Sequence, residues 1–225
     1  MEFEADARPD ACERLVESLL ASPAFGERWA QHWLDLARFA ETDGFEHDKV
    51  RPNAWRYRDW LIDSLNTDQP YDEFVFHQLA GDEVTPAAAL GTGFLLAGQD
   101  MPDINLRAER RHMVLNEMTT TVGSVFLGLT VGCAQCHDHK YDPIANEDYY
   151  RFRAFFEPHQ VRTDRLPGQS DVMQAGIPRV FDADLEAATH EQRFGGETGG
   201  VAEQMRKLGQ QGFGVMAPGG LSGDF

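Results

Sequence analysis

Cys133, Cys136 and His137 stand in the spacing Cys-x-x-Cys-His, at the end of a long apolar run and directly before Asp138, His139, Lys140, Tyr141, Asp142 and Pro143. In that spacing two thiols add to the vinyl groups of one porphyrin edge as thioethers, and the histidine that follows turns its ring beneath the iron. The motif predicts one covalent haem c, with Cys133 and Cys136 as tethers and His137 as the proximal iron ligand. A reversible Cys-x-x-Cys redox pair and half of a zinc site are the other chemistries served by this pattern. His139 lies two residues beyond His137, a separation that does not span a porphyrin, so it is expected to bond a propionate or to position the loop.

An iron held by His137 has a sixth position, and what fills it sets the chemistry. His32 is the leading candidate distal ligand, because it lies close to the apolar face of a strongly amphipathic helix. A partly exposed histidine at the edge of that stripe is the ordinary reading of the same position. His112, Met113 and Met118 are the other candidates. Histidine there gives a low reduction potential and methionine a higher one, and either makes an electron carrier, for which no catalytic residue is assigned. An open position points instead to a peroxidase-like haem enzyme. His112 would then act as acid and base, and Arg110 or Arg111 would stabilise the departing oxygen; an ordinary basic helix start accounts for the same three residues. A third class, a non-redox module that binds carbohydrate or a partner domain, takes Cys133 and Cys136 as a structural disulfide and the aromatic residues as core.

Positioning these side chains requires a fold, and the chain has 225 residues, of which 42 % are hydrophobic, enough to bury a core. Its 37 acidic side chains against 20 basic ones give a formal charge of −17, which argues against a nucleic-acid partner, because phosphate binding needs a concentrated positive surface. No apolar run approaches the roughly 18 residues of a membrane span. The acidic start, Met1 to Asp6, lacks the basic n-region of a signal peptide. Covalent haem attachment takes place outside the cytoplasm, so the haem reading carries the expectation of a periplasmic or extracellular protein whose export signal lies outside this sequence. Cys12 is left over, and a small buried thiol explains it.

Helical periodicity predicts a mainly α, irregular domain of about six helices over 10–160, with no sizeable sheet. Leu15, Val16, Leu19 and Leu20 mark the first helix, ended by Ser22-Pro23. Phe25, Trp29, Trp33, Leu36 and Ala40 form the stripe of a second, over 24–41. A third runs from Ala54 to about Thr67 with Asn53 as N-cap, and a fourth from Tyr71 to Asp82. A glycine-punctuated connector with one buried turn follows. A long helix opened by Arg107, Arg110 and Arg111 then carries Val114, Met118, Val122, Val125, Phe126 and Leu129 to the motif. Its run Thr119 to Gly123 is weakly helical, so packing must hold it, and a buried cofactor would supply that packing. After the motif, Asn146 is expected to cap a helix whose inner face is Tyr149, Phe152, Phe155 and Phe156. Residues 161–225 read as a loop-rich extension, with short helices around Leu185 and Met205 and a glycine-rich end that is loop or disorder.

Three blocks carry a family resemblance: Gly26 through Ala40, Trp55 through Trp60, and Phe126 through Ile144 with the motif inside it. In this order they resemble the DUF1549 family, over about residues 10 to 160. The resemblance implies a planctomycete-type exported protein with a redox role outside the cytoplasm. Members usually carry a separate cytochrome c domain before this region and a DUF1553 region after it, so the implied partners are those adjacent domains or a separate redox protein. Neither flanking domain is present in these 225 residues.

Overall fold

The computed structural model describes residues 8–44, 48–99 and 107–184, with the single positions 3, 187 and 189. The chain opens with α1 (Ala11–Leu20), α2 (Ala24–Leu36), α3 (Trp55–Asn66) and α4 (Tyr71–Ala80). Short 3-10 turns at Gly81–Glu83 and Ala88–Thr92 lead into the single-turn α5 (Gly93–Leu96). The long α6 (Arg107–Phe126) then delivers the chain to a 3-10 turn at Val131–Gln135, followed by α7 (Asn146–Arg153). Strand β1 (His159–Arg165), the short α8 (Val172–Ala175) and strand β2 (Gly176–Asp182) complete the described elements. Among the described residues, six helices of eight residues or more stand where the periodicity places them, and the one sheet is a two-stranded ribbon.

Helix α2 stops earlier than its stripe suggests. Arg38 takes the left-handed conformation, φ 57°, and the Phe39 and Arg38 amides bond back to the Leu34 and Asp35 carbonyls at 2.9 and 3.1 Å. This is a Schellman end with arginine where glycine is usual, and it turns Phe39 onto the main core. The Arg38 guanidinium compensates by pairing with Glu117 of α6. The buried face of α2 is also shifted from the expected stripe: Gly26, Ala30 and Ala37 are buried, whereas Trp29 and Leu36 are 54 % and 52 % exposed.

Three apolar clusters hold the elements together. The largest joins Ala37, Tyr57, Phe94, Leu95, Met118, Val122 and Val180, so α5, read from the sequence only as a buried turn, lies at the centre of the molecule. A second, Ala30, Leu61 and Phe74 with Trp33 and Trp60 against it, seals α2, α3 and α4. Between them sits Gln78, fully buried, whose Oε1 accepts from Trp33 Nε1 at 2.7 Å and Tyr57 Oη at 2.9 Å. Its amide donates to the Phe74 carbonyl at 3.1 Å, so no polar atom of this core side chain is left unmatched. The third cluster, Val131, Ala134, Tyr149 and Tyr150, lies under the Cys-x-x-Cys-His loop.

The extension expected to be loop from 161 instead holds an antiparallel hairpin, Val161 opposite Val180. Its β1 sequence, His159 to Arg165, shows no apolar alternation because the ribbon is stabilised by docking rather than by a face of its own. Val180 is buried in the main core, its amide bonds Thr92 Oγ1 at 3.2 Å, and Asn53 reaches the Val172 and Met173 carbonyls at 3.2 and 3.1 Å. Asn53 is therefore a clamp on the hairpin and not the cap of α3, whose N-cap is Ala54. The helices expected around Leu185 and Met205 and the glycine-rich end lie outside the described residues.

Candidate functional site

The Cys-x-x-Cys-His loop is built on the end of α6. Gly128, at φ 66°, turns the chain out of the helix, and the Leu127 and Leu129 amides both bond the Gly123 carbonyl, at 3.2 and 3.1 Å. The loop lies so close to α6 that a Cβ on Gly123 would come 2.4 Å from Val131 Cγ2. This contact explains a glycine in mid-helix, and it is the chain itself, through Val131, that packs the weakly helical run there. In the 3-10 turn that follows, side chains three apart eclipse one another. Val131 and Ala134 therefore stack inward and are buried, while Cys133 and Cys136 stack outward as free, exposed thiols on one side of the turn.

Helix α7 holds this turn from behind. Asn146 Nδ2 donates to the Ala134 and Gln135 carbonyls at 2.7 and 2.9 Å, and Tyr150 Oη donates to the Gln135 carbonyl at 3.1 Å. The expected capping role of Asn146 is thus corrected: the N-cap is Ala145, whose amide bonds Asp148 Oδ2 at 3.1 Å, and the Asn146 side chain is spent on the loop. Asn146→Ala is expected to cost about 1–2 kcal/mol, because two carbonyls lose their donor. A urea midpoint shift with unchanged slope checks this.

The two histidines of the loop are bonded in opposite senses. His137 Nδ1 donates to the Asp138 carbonyl at 2.7 Å, so the lone pair of the neutral ring resides on Nε2, and the residue is exposed. This is the arrangement in which a ligating histidine is oriented by a carbonyl bond on its other nitrogen. His139 Nδ1 instead accepts from the Asp142 and Tyr141 amides at 2.8 and 3.3 Å, and its Nε2 faces Thr130 Oγ1 at 3.0 Å. Both nitrogens are engaged and the side chain is 6 % exposed, so His139 positions the loop.

The candidate distal residues are scattered. His32 is exposed on α2 with its ring in edge contact with Trp29 at 5.6 Å. Its helix packs on α1 and α3, whereas the motif turn packs on α6 and α7. Met118 is 1 % exposed in the main core, and Met113 is 37 % exposed. His112 lies on α6 eight residues before Thr120, a rise of about 12 Å along the helix, and Thr120 is where Gly132 of the motif turn rests. Arg110, Arg111 and His112 do not converge on one space: both arginines line a cavity of about 820 Å³, and His112 faces α7, where Arg111 also reaches the Glu157 carbonyl. That cavity contains none of Cys133, Cys136 and His137. Among the described residues, no group of three or more His, Cys, Asp or Glu side chains is disposed to hold a metal ion. A zinc site would need further protein ligands, whereas haem c asks the protein for only two thiols and one histidine.

Behind the motif runs a buried polar network with no sequence signature. Arg153, 2 % exposed, donates to His112 Nδ1 at 2.8 Å and Asn116 Oδ1 at 2.9 Å, and pairs with Glu157 Oε1 at 2.9 Å. Tyr149 Oη donates to the same Asn116 oxygen at 3.1 Å, and burial pushes its phenol up to about 12. Arg111 closes the network by donating to the Glu157 carbonyl. The four-residue spacing of Arg153 and Glu157 was legible as a helical pair, but nothing in the sequence marks it as buried.

His159, at the start of β1, is 4 % exposed with neither ring nitrogen bonded, and burial, with the Arg111 charge adding to it, lowers its pKa from 6.5 to about 4. Between those values the unfolded chain binds the proton and the folded one does not. Stability contributed by this group is therefore full above pH 6.5 and falls as the pH drops towards 4, by about 3 kcal/mol. In chemical denaturation from pH 7 to 4, His159→Phe is expected to lose that much less stability than the parent.

No helix of the described residues is long and apolar enough to cross a membrane, and no curated protein and no solved structure matches the chain. The family model PSCyt2, described as a protein of unknown function (DUF1549), matches residues 1–161, which include α1 to α7, the motif turn and the network behind it. With more than half its length matched in this way, the chain belongs to the DUF1549 family.

Proposed function

We propose that the chain is an extracytoplasmic c-type cytochrome-like protein, in which Cys133 and Cys136 tether one haem and His137 Nε2 ligates its iron. The observation that carries this reading is the pairing of two free, outward-stacked thiols with a histidine whose Nδ1 is already committed to a carbonyl. These are the groups that haem c requires, with His137 Nε2 left for the iron. Leu127, Leu129 and Tyr141, in the segments flanking the motif and 56 %, 39 % and 82 % exposed, offer apolar surface for a porphyrin face. When bound, the haem supplies a one-electron ferric–ferrous couple. The protein's own part is to hold the ring of His137 by the Asp138 carbonyl and to keep the turn rigid through Asn146, Tyr150 and His139. An exposed attachment turn suits electron exchange with a docking protein or with adjacent cytochrome and DUF1553 domains.

The test is the pyridine haemochrome spectrum of protein matured in a haem-attaching host: a covalent haem c signature supports the reading, and its absence from folded protein removes it. The same preparation tests His32 as sixth ligand. A low-spin parent converted to high spin by His32→Ala supports it; a parent already high-spin and quick to bind cyanide discards it.

A further inference from the structure

The cavity of about 820 Å³ is a feature the haem reading does not use. It lies between α3, α6 and the β1–β2 hairpin, and its walls carry Arg51, Arg56, Arg107, Arg110 and Arg111 in a protein of net charge −17. The two carboxylates that the described residues place on the same walls are already matched, Asp43 by Arg51 at 2.8 Å and Glu117 by Arg38. Arg51 is further spent on the carbonyls of Leu96, Ala97 and Gly98. Among the described wall residues, the positive charge of Arg56, Arg107 and Arg111 thus faces the cavity without a carboxylate left to balance it.

Unmatched buried polar atoms collect in the same place. Asn53, 6 % exposed, uses its amide on the hairpin and leaves Oδ1 without a donor. Arg56 Nε is buried without an acceptor, its guanidinium lying over the Trp55 ring at 4.5 Å. His159 contributes two unbonded ring nitrogens. All three residues line the cavity. Buried polar atoms are nearly always paired, so a group of orphans around one space marks something that enters it. Arginines call for an anion, which they bind through several N–H groups at once. Asn53 Oδ1 calls for a donor, which a carboxylate does not have.

We propose that this cavity binds a small polyvalent organic anion bearing a hydroxyl, its acidic groups on Arg56, Arg107 and Arg111 and its hydroxyl donating to Asn53 Oδ1. Leu90, Leu95 and Val114 on the walls accept its carbon skeleton, and the volume lies within the range of small-molecule sites. The site stands independently of the motif loop, none of whose cysteines or histidines lines it.

Citrate is the probe, with tricarballylate as the same trianion lacking the hydroxyl. Isothermal titration of the whole chain at low ionic strength is expected to show one saturable citrate site, weakened at least tenfold by 0.2 M sodium chloride. Tricarballylate is expected to bind at least fivefold more weakly than citrate. Arg56→Gln and Arg111→Gln should each weaken citrate at least tenfold. Because Arg111 also bonds the Glu157 carbonyl, Val161→Trp serves as the second variant, since Val161 is 55 % exposed at the rim and a larger ring there blocks entry without touching a charge. Absence of saturable citrate binding overturns the proposal, as does binding that all three variants leave unchanged. Equal binding of citrate and tricarballylate overturns the part assigned to Asn53.

Discussion

Replacing Cys133 and Cys136 together by alanine is expected to abolish all haem that survives acid–acetone extraction, while the chain stays folded and soluble. The first half follows from chemistry: thioether bonds retain the group through denaturation, and with neither thiol there is none to form. The second follows from the turn. Both cysteines are exposed and neither is in a disulfide, and the turn is held by the inward pair Val131 and Ala134 and by the bonds from Asn146 and Tyr150. Circular dichroism of the double variant should match the parent's, and its thermal midpoint should change little. Haem that resists extraction from the double variant would sink the attachment reading. A collapse of folding would show that the thiols matter to the fold, which is what a structural role for Cys133 and Cys136 predicts.

Arg153→Ala is expected to be the most destabilising single change near the motif, at about 3–5 kcal/mol, because it strands a buried Glu157 carboxylate and removes one donor each from Asn116 and His112. Side chains of 3 % and 6 % exposure leave water little access to compensate. The informative companion is the double variant Arg153→Met with Glu157→Leu. It removes both charges while keeping volume, and it should recover much of the loss, since a buried ion pair is worth little over an apolar replacement although half of one is costly. Urea midpoints read at constant slope measure both. If the single variant loses under 1 kcal/mol, the network is not the support for α7 that its geometry makes it. Because α7 carries Asn146 and Tyr150, the same single variant should also loosen the turn, seen as faster amide exchange at Cys133, whose amide bonds the Thr130 carbonyl at 3.0 Å.

The helices, the family and the motif were set by local rules. An apolar repeat at 3.6 residues, a proline at 23 or 70 that stops or restarts a helix, and two thiols beside a histidine can each be read without knowing what lies across the molecule. Other features depended on contacts between residues far apart in the chain, which no local pattern encodes. Asn53 and Asn146 both looked like caps, because a short polar side chain before a helix usually is one; each is instead bonded to a loop or hairpin brought against it by the fold. Gln78 reads as a surface residue until Trp33 and Tyr57 are placed on either side of its amide. Thr119 to Gly123 reads as poor helix, and only the approach of Val131 shows why a glycine belongs there. Arg110, Arg111 and His112, adjacent in sequence, are divided by the helix turn: Arg110 lines a cavity, His112 joins a buried network, and Arg111 touches both. The hairpin was hidden because its stability comes from Thr92 and the main core rather than from alternation within its strands. Tertiary packing likewise decided that Cys133 and Cys136 face outward together, since which side of a 3-10 turn is buried is fixed by the residues packed under it, here Tyr149 and Tyr150.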